Sequence, residues 1–484
     1  MKARTFIFAV LVIAGFVLRL YDLTDLPLDF HPTRQLLSLI KARGMYYATL
    51  SNIPEEQRQF AIDEWHSKTT FEPELLERLV VFTYRFTGEQ VWIGRIFSSL
   101  FWIIGGIFLY WLARDLVSEN GALLSLTFYL FLPYGVFASR SFQPDPFMLM
   151  LTIAFWWTVK RWSKHPASWA FAILSGLFGG LAILVKFVAA FFVIGAGVGA
   201  LLLKRVSIRE TVRRPQVWAM TALGILPGAS WALYGLYITD FLSKKFEGRF
   251  IPALLVSPAF YLGWMSMLNI VLGGALIALA FLGLFFHRQR TFIISLWTAY
   301  FVYGIFFDYH ISTHDYYSLM IVPIAALSLA PFADLILPQA NSRSSKIFLA
   351  FVFCFGIFST AWGVRSQLKE TDYRPEAAMW AEIGERLGPR AKVTALTQDY
   401  GARLEYWGWE RATIWPLYGD LVYHVGLKGA NKEFERLFSN LTARSDYYLV
   451  TMPDELSRQP ELKERLDQYP VFAEGEGYVI YDLK

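Results

Sequence analysis

Residues 5–20 read TFIFAVLVIAGFVLRL, an apolar run close to the ~20 residues that an α-helix needs to cross a bilayer. Because no small-residue cleavage site follows it, we expect this run to stay as an anchor rather than to be removed as a signal peptide. Similar runs follow near 94–112, 121–138, 146–160, 169–185, 187–203, 217–237, 260–286, 291–307, 317–337 and 347–364. The sequence therefore predicts an all-α polytopic membrane protein with about 11 transmembrane helices.

The composition of the 484 residues agrees with burial in lipid. Hydrophobic residues make up 55% of the chain and charged residues only 18%, which is too little polar surface for a soluble protein of this size. The net charge of +5 is too small to indicate a nucleic-acid partner. The one cysteine, Cys354, lies in an apolar run, so an intrachain disulfide is excluded and we expect a packed, unreactive side chain.

The basic residues of the short loops predict the orientation. With the N-terminus in the cytoplasm, fifteen Lys and Arg residues fall on the cytoplasmic side and five in the short outer loops. The long loop 21–93 and the tail 366–484 then lie outside. We expect a multi-pass protein of the cytoplasmic (inner) membrane with an extracytoplasmic C-terminal domain.

The regions outside the spans have patterns of their own. Residues 34–50 and 74–86 place apolar side chains at helical spacing, which predicts two amphipathic helices in the membrane interface or packed on the outer ends of the spans. The predicted domains are a transmembrane domain over 1–365, which includes the first outer loop 21–93, and an extracytoplasmic α/β domain over 366–484.

The tail alternates strand and helix patterns, which is typical of a small α/β domain. The predicted strands are 391–397, 412–415, 447–452 and 478–483, and the predicted helices are 431–443 and 454–468.

Ionisable residues gather in four segments that the predicted orientation places on the outer side. They are PLDFHPTRQ (27–35), SRSFQPDPF (139–147), Lys186 between two spans, and DYHISTHDYY (308–317). Ionisable groups beside a bilayer are costly and are often functional. The main functional signal of the sequence is that all four segments are predicted on the same side of the membrane.

This order of spans and polar segments resembles the GT-C superfamily of polyprenyl-phosphate-dependent glycosyltransferases, in the branch of protein mannosyltransferases and aminoarabinose transferases. The resemblance runs from residue 1 to about residue 365 and rests on several weak motifs in order, and the tail is more loosely similar to the outer domains of some members. It implies a glycosyltransferase that moves a hexose or pentose from a polyprenyl-phosphate donor to a glycan, lipid or protein acceptor, at the outer face of the membrane.

The resemblance also implies a base near the start of the first outer loop. Family members carry an acidic pair after an aromatic residue there, whereas this chain has Phe30 followed by His31. The group that takes the acceptor's proton is therefore Asp29 or His31, and an imidazole with a pKa of about 6.5 suits this task. For Asp29, capping of the following helix is the structural alternative.

The second acidic position of the family is matched by Asp145, which would orient the acceptor or share a proton with the base. Its structural alternative is a turn between Pro144 and Pro146. Arg34 and Lys186 are the candidate cations for the leaving lipid phosphate. Their alternatives are a solvated helix face for Arg34 and a side chain that extends to the lipid headgroups for Lys186.

Further contacts with the donor or the sugar are expected from the other polar residues of these segments. They are Arg140, Gln143, His310, His314, Tyr316 and Tyr317. The four-residue spacing of the two histidines would aim both imidazoles one way on a helix, so a divalent metal is an alternative to a phosphate or sugar contact there. We assign no metal ligands and no certain cofactor. The basic, aromatic loop 239–259 is a candidate lid.

A secondary transporter of a polar or lipid-linked substrate is the main competing hypothesis, and a non-enzymatic membrane scaffold is another. Transporters show inverted repeats and charged groups near the middle of the bilayer. Here the ionisable residues gather at one face and most span centres carry none, which favours chemistry at the interface.

Overall fold

The computed structural model describes residues 2–68, 72–204, 208–239, 250–422 and 434–484. Its α-helices, in chain order, are α1 Lys2–Leu20, α2 Pro32–Tyr47, α3 Glu55–Ser67, α4 Leu75–Thr87, α5 Ile93–Leu116, α6 Glu119–Phe131, α7 Pro133–Arg140, α8 Asp145–Lys164, α9 Trp169–Val185, α10 Ala189–Lys204, α11 Ile208–Val212, α12 Pro215–Tyr237, α13 Pro258–Val271, α14 Gly274–Phe286, α15 Arg290–Phe306, α16 Asp308–Thr313, α17 Ile321–Leu329, α18 Pro331–Ile336, α19 Arg343–Gln367, α20 Arg374–Leu387, α21 Phe434–Thr442, α22 Pro453–Ser457 and α23 Pro460–Leu466. The strands are β1 Val393–Leu396, β2 Ala412–Ile414, β3 Tyr447–Val450, β4 Val471–Gly475 and β5 Tyr478–Asp482.

The chain divides into two compact units. The helical unit comprises Met1–Thr24, Thr69–Leu79 and Trp92–Thr371. The sheet unit comprises Asp25–Lys68, Val80–Val91 and Asp372–Lys484. Helix α4 contributes residues to both units. Much of the first outer loop therefore belongs to the same compact unit as the C-terminal sheet.

All eleven apolar runs of the sequence fall on helices of the helical unit. By length and composition, five helices of the described chain could cross a membrane, namely α1, α5, α12, Ile321–Gln339 and α19. Two bent helix pairs would each add one span, and α9, α10 and α15 are apolar but shorter. These helices agree with a multi-pass membrane protein, and the count of about 11 spans stays a prediction.

Two of the predicted spans are broken rather than continuous, which corrects the sequence analysis. Helices α6 and α7 meet at 62°, where Pro133 lacks the N–H that would bond to the Tyr129 carbonyl. Helices α13 and α14 meet at 92° next to Gly273, whose φ of +82° is left-handed. Hydropathy missed both breaks because the apolar composition continues through them.

Glycines let helices of the helical unit pack with their backbones in contact. A Cβ at Gly180 of α9 would lie 2.1 Å from the Leu223 carbonyl oxygen of α12, and one at Gly176 would lie 2.7 Å from Leu223 Cβ. Small residues at such positions are typical of helix pairs in membranes.

The sheet of the sheet unit has the strand order β2-β1-β3-β5-β4. Strand β1 is parallel to β2 and β3, whereas β5 is antiparallel to β3 and β4. Trp380 and Ile383 of α20 belong to one buried cluster with this sheet, and Phe438 of α21 and Leu462 of α23 belong to a second. Both clusters contain residues of β1 and β3, so the sheet lies between two layers of helix.

The four predicted strands of the tail are confirmed, but the pattern was incomplete. Strand β4 and helix α20 were missed, and the predicted helix 454–468 is two helices, because Pro460 starts a new one. The predicted helix 431–443 is confirmed from Phe434 onward, and 431–433 lie outside the described residues.

The predicted helices of the first outer loop, 34–50 and 74–86, are confirmed as α2 and α4, and α3 between them was missed. The Arg43 guanidinium of α2 lies 3.6 Å from the centroid of the Tyr406 ring and pairs with Glu89 at 2.8 Å. The Tyr406 hydroxyl donates to the same carboxylate at 2.6 Å, and burial raises the pKa of this phenol. This cluster joins the loop helices to the segment after β1.

Candidate functional site

The break between α6 and α7 is stabilised by two buried donors. Trp102 Nε1 donates to the Tyr129 carbonyl at 3.2 Å, the group that Pro133 leaves without a helical partner. Arg19 Nη1 donates to the next carbonyl, that of Leu130, at 3.0 Å. Buried carbonyls need such partners, so these side chains fix the bend from which α7 starts.

Arg19 is a residue that sequence reasoning missed. It is 0% exposed, although it lies near the end of the apolar run 5–20, where a charge that flanks a span is expected. Its Nε donates to Ser139 Oγ at 2.7 Å, which connects α1 to the end of α7 just before the 141–144 turn. The available signal was an arginine in the last turn of a span.

The last residue of α7 and the turn that follows it provide two of the predicted contact residues, Arg140 and Gln143. Arg140 is buried, and its Nη2 donates to the Asp22 carbonyl at 3.1 Å. Gln143 is fully buried, and within the described chain neither its amide nitrogen nor its amide oxygen has a hydrogen-bond partner. A buried amide without partners costs free energy, so Gln143 remains a candidate for contact with a polar substrate.

Asp145 and Lys186 form a buried ion pair. Lys186 Nζ lies 2.8 Å and 2.9 Å from the two carboxylate oxygens of Asp145. The side chains are 11% and 4% exposed, for Lys186 and Asp145 respectively. The two segments were singled out independently, and the structure brings them into direct contact.

This pair corrects the structural alternatives for both residues. Lys186 is the C-cap of α9 in extended conformation and its ammonium faces Asp145, so it does not extend to lipid headgroups. Asp145 begins α8, with Pro146 in the first turn, so it starts a helix rather than forming an isolated turn. A carboxylate at this position interacts favourably with the helix dipole.

Aromatic rings of the segment after α16 lie over the Lys186 ammonium. Its Nζ is 5.6 Å from the Tyr316 ring centroid and 5.9 Å from that of Tyr317. The His310 ring is 4.9 Å from the Tyr317 ring, and the His314 ring is 5.7 Å from the Tyr316 ring. Three of the four predicted outer segments therefore meet at one end of the helical unit.

The two histidines are close together, as their spacing predicted. His310 lies in α16 and His314 follows its end, with ring centroids 5.8 Å apart. Thr313 Oγ1 lies 2.8 Å from His314 Nδ1. Among the described residues, no three His, Cys, Asp or Glu side chains are grouped so as to hold a metal ion.

Asp308 fixes the loop that precedes α13. Its Oδ2 accepts the Ile251 backbone N–H at 2.8 Å, and its Oδ1 accepts that of Tyr309 at 2.6 Å. The candidate lid 239–259 thus has its second half anchored here. Residues 240–249 of that loop lie outside the described residues.

The first-loop candidates lie in the sheet unit at the start of α2. The N-cap position belongs to His31, not Asp29, which corrects the capping alternative for Asp29. His31 has a left-handed backbone (φ 45°), and its ring packs edge-on against Phe30 at 4.5 Å. Asp29, His31 and Arg34 are each half-buried. Their approach to Asp145 stays a prediction.

Asp25, four residues before Asp29, was not singled out from the sequence. It is 5% exposed, and its Oδ1 accepts the backbone N–H groups of Leu26 at 2.8 Å and Tyr373 at 3.1 Å. These bonds join the start of the first outer loop to the segment before α20. Asp25 is therefore a structural carboxylate, which a sequence pattern does not distinguish from Asp29.

One known protein family matches part of this chain. The family of dolichyl-phosphate-mannose-protein mannosyltransferases matches residues 74–234, about a third of the chain. No match was found among curated protein sequences. The matched residues include Asp145 and Lys186.

Solved structures are similar over nearly the whole chain. ArnT from Cupriavidus metallidurans bound to undecaprenyl phosphate has a TM-score of 0.63 and 15% identity, over 99% of this chain and 97% of that one. The oligosaccharyltransferase AglB from Archaeoglobus fulgidus, in complex with an inhibitory peptide and a dolichol-phosphate, has a TM-score of 0.54 and 12% identity, over 91% of this chain and 69% of that one. The family match and these similar structures support the resemblance to the GT-C superfamily of polyprenyl-phosphate-dependent glycosyltransferases, and this chain has the ArnT-like fold.

Proposed function

We propose that this protein is an integral-membrane glycosyltransferase that moves a sugar from a polyprenyl-phosphate donor to an acceptor at the outer face of the cytoplasmic membrane. The observation that carries the proposal is the buried Asp145–Lys186 pair beneath the rings of Tyr316 and Tyr317. The ArnT-like fold supports it, because the related structures hold undecaprenyl phosphate or dolichol-phosphate.

The reaction needs a base and a cation at defined places. The acceptor's nucleophilic atom attacks the anomeric carbon, and the bond between that carbon and the phosphate oxygen breaks. The lipid phosphate leaves with the electron pair of that bond, while the base takes the acceptor's proton. Charge that develops on the leaving phosphate is stabilised by fixed cations.

Lys186 is the proposed cation for the leaving phosphate. An ammonium has three donors, and the two bonds to Asp145 leave a third donor for a phosphate oxygen. The faces of the two tyrosines favour a positive charge at this place. Arg34 is the second proposed cation.

Asp29 or His31 is the proposed base, and Asp145 is the proposed orienting carboxylate. Because Asp145 is engaged by Lys186 through both oxygens, its pairing favours a role in positioning Lys186 and the acceptor over proton abstraction. His310, His314 and Gln143 are proposed to contact the sugar or the phosphate, since they lie on the same segments as the pair and its tyrosines.

The test is a transfer assay with the purified chain in lipid nanodiscs, a radiolabelled polyprenyl-phosphate sugar and membrane extract as acceptor. Wild type is expected to move label from the donor, and Asp29→Asn and His31→Ala, each checked for normal expression, separate the two bases. Full activity in both variants would remove the base assignment. A reporter at Lys484 that reports a cytoplasmic position would overturn the proposed orientation.

A further inference from the structure

The sheet unit contains a cleft of about 800 Å³ that none of the predicted site residues lines. Its walls come from α3, from the end of α20 with the turn after it, and from the segment 407–411. This volume falls within the range of about 300–1,000 Å³ that is usual for small-molecule sites.

The floor of the cleft is aromatic. Trp407, Trp409 and Phe60 line it, and each is half-buried, so part of each ring faces the open space. The Phe60 and Trp409 ring centroids lie 5.9 Å apart. Rings that are partly exposed inside a cleft offer flat apolar contact area at low entropic cost.

The aromatic floor is held rigidly. A Cβ at Gly384 would lie 2.0 Å from the Gly408 carbonyl oxygen, so α20 packs directly on the backbone between the two tryptophans. The Arg43 guanidinium lies 4.5 Å from the Trp409 ring centroid and holds that ring in place. Trp409 itself has a left-handed backbone (φ 56°), a conformation that bulky residues rarely adopt.

The rim of the cleft mixes hydrogen-bond donors and acceptors. Gln57 and Gln59 carry amides, Asp63 and Glu385 carry carboxylates, and all four are exposed. Arg390 adds donors from the turn after α20. Such a set suits a ligand that is rich in hydroxyl groups, because each hydroxyl both donates and accepts.

We propose that this cleft binds a saccharide, with sugar rings stacked on Trp407 and Trp409 and hydroxyls bonded to the rim amides and carboxylates. The inference deepens the proposed function, on which it rests, by naming the glycan part of a glycan or glycolipid acceptor as the ligand. The partly exposed tryptophans favour a saccharide over a basic peptide, which the four carboxylates of the lining would also attract despite its two arginines.

The experiment measures binding without transfer. The full chain in nanodiscs, without donor, is applied to an array of neutral, acidic and amino-sugar oligosaccharides, with an oligo-lysine peptide as competitor. We expect retention of one class of oligosaccharide that the peptide does not displace. Trp407→Ala and Gln59→Ala should each weaken it at least tenfold, whereas Phe472→Ala, which removes an exposed ring outside the cleft, should not.

Two results would overturn the inference. One is that no oligosaccharide is retained better by wild type than by Trp407→Ala. The other is that oligo-lysine displaces the glycan or binds in its place, which would make the cleft a peptide site. The inference and the proposed function fail separately. Lys186→Met should lower transfer and leave glycan retention unchanged. Trp407→Ala should lose glycan retention and keep transfer to an acceptor that lacks the glycan.

Discussion

Helix α8 carries an ion pair at each end, and the two pairs differ in what surrounds them. Asp145 at its start binds Lys186 at 2.8 Å, and Arg161 near its end binds Asp115 at 2.7 Å. Asp145 and Arg161 are sixteen positions apart, which places the pairs roughly 24 Å apart along the helix. Neither pair is widely exposed, so burial alone does not distinguish them.

The surroundings distinguish the two ends. Two tyrosine rings lie near Lys186 of the first pair, two histidines contact these rings, and the buried amide of Gln143 precedes Asp145 by two residues, all of them groups that can bind a polar ligand. At the other end, Arg161 lies 5.8 Å from the Trp157 ring centroid, and the Asp115 carbonyl accepts from Gln289 Nε2 at 3.1 Å. The second pair connects helix ends, and the comparison teaches that the neighbours of an ion pair indicate its role.

The largest expected effect is the difference in transfer rate when each of the two carboxylates, Asp145 and Asp115, is neutralised. Asp145→Asn should lower transfer at least ~100-fold, because it removes the group that orients Lys186 and leaves a buried ammonium without its counter-charge. Asp115→Asn removes a carboxylate of the same type from the other end and should change transfer less than about threefold. Rates with radiolabelled donor and equal amounts of folded protein measure both. Equal losses in the two variants would contradict the assignment.

The next effect concerns the cation of the first pair. Lys186→Met should lower transfer ~10–100-fold and raise the donor KM, since a fixed positive charge near the phosphate is lost. Lys186→Arg keeps the charge and should recover part of the rate. Arg161→Met is the matched control at the other end of α8. Activity in Lys186→Met equal to that in Arg161→Met would argue that Lys186 has only a structural role.

A smaller effect is expected from loss of the bonds that stabilise the break between α6 and α7, which precedes Asp145 in the chain. It concerns stability first and the transfer rate second. Arg19→Leu leaves the Leu130 carbonyl and Ser139 without their donor and should destabilise the protein by about 1–3 kcal/mol. Arg4→Leu removes an exposed pair with Glu119 from the same helix and should cost less than about 1 kcal/mol. Thermal unfolding of both variants measures the difference.

The same pair of variants tests whether the break positions the 141–144 turn. If it does, Arg19→Leu should also lower transfer several-fold at temperatures where the variant is folded, and Arg19→Lys should restore part of it. Unchanged transfer in folded Arg19→Leu would limit Arg19 to a stabilising role.

Sequence reasoning found the polar end of the helical unit because charges at the ends of apolar runs are visible in one dimension. Asp145, Lys186 and the 308–317 segment were each singled out, and the structure brings them together. It missed Arg19, since a buried arginine and a flanking one look alike in a sequence. It also missed the bends after α6 and α13, where the apolar composition gives no sign of a change in direction.

The sheet unit was predicted less completely, for physical reasons. Strand β4 is largely exposed and lacks an apolar pattern, and the order β2-β1-β3-β5-β4 depends on packing that no local pattern encodes. The cleft was not predicted because Trp407 lies near the end of a short helix and Trp409 has a left-handed backbone, a local arrangement that has no periodicity to detect. Such features arise from tertiary contacts such as that between Gly384 and Gly408.

The smallest expected effect concerns the pH dependence of stability. It arises from a buried carboxylate that, unlike those of the two ion pairs, is bonded to a backbone N–H and not to a cation. Glu410, 6% exposed, accepts the Arg390 N–H at 3.1 Å, and burial raises its pKa from 4.5 to about 7. Between these values the folded chain keeps a proton that the unfolded chain releases, so stability falls as pH rises through this window. The drop in melting temperature between pH 5 and pH 8 should be smaller by ~2–4 °C in Glu410→Gln than in wild type. Glu385→Gln, an exposed carboxylate of the same cleft, should leave the slope unchanged, and equal slopes in all three proteins would show that Glu410 ionises normally when folded.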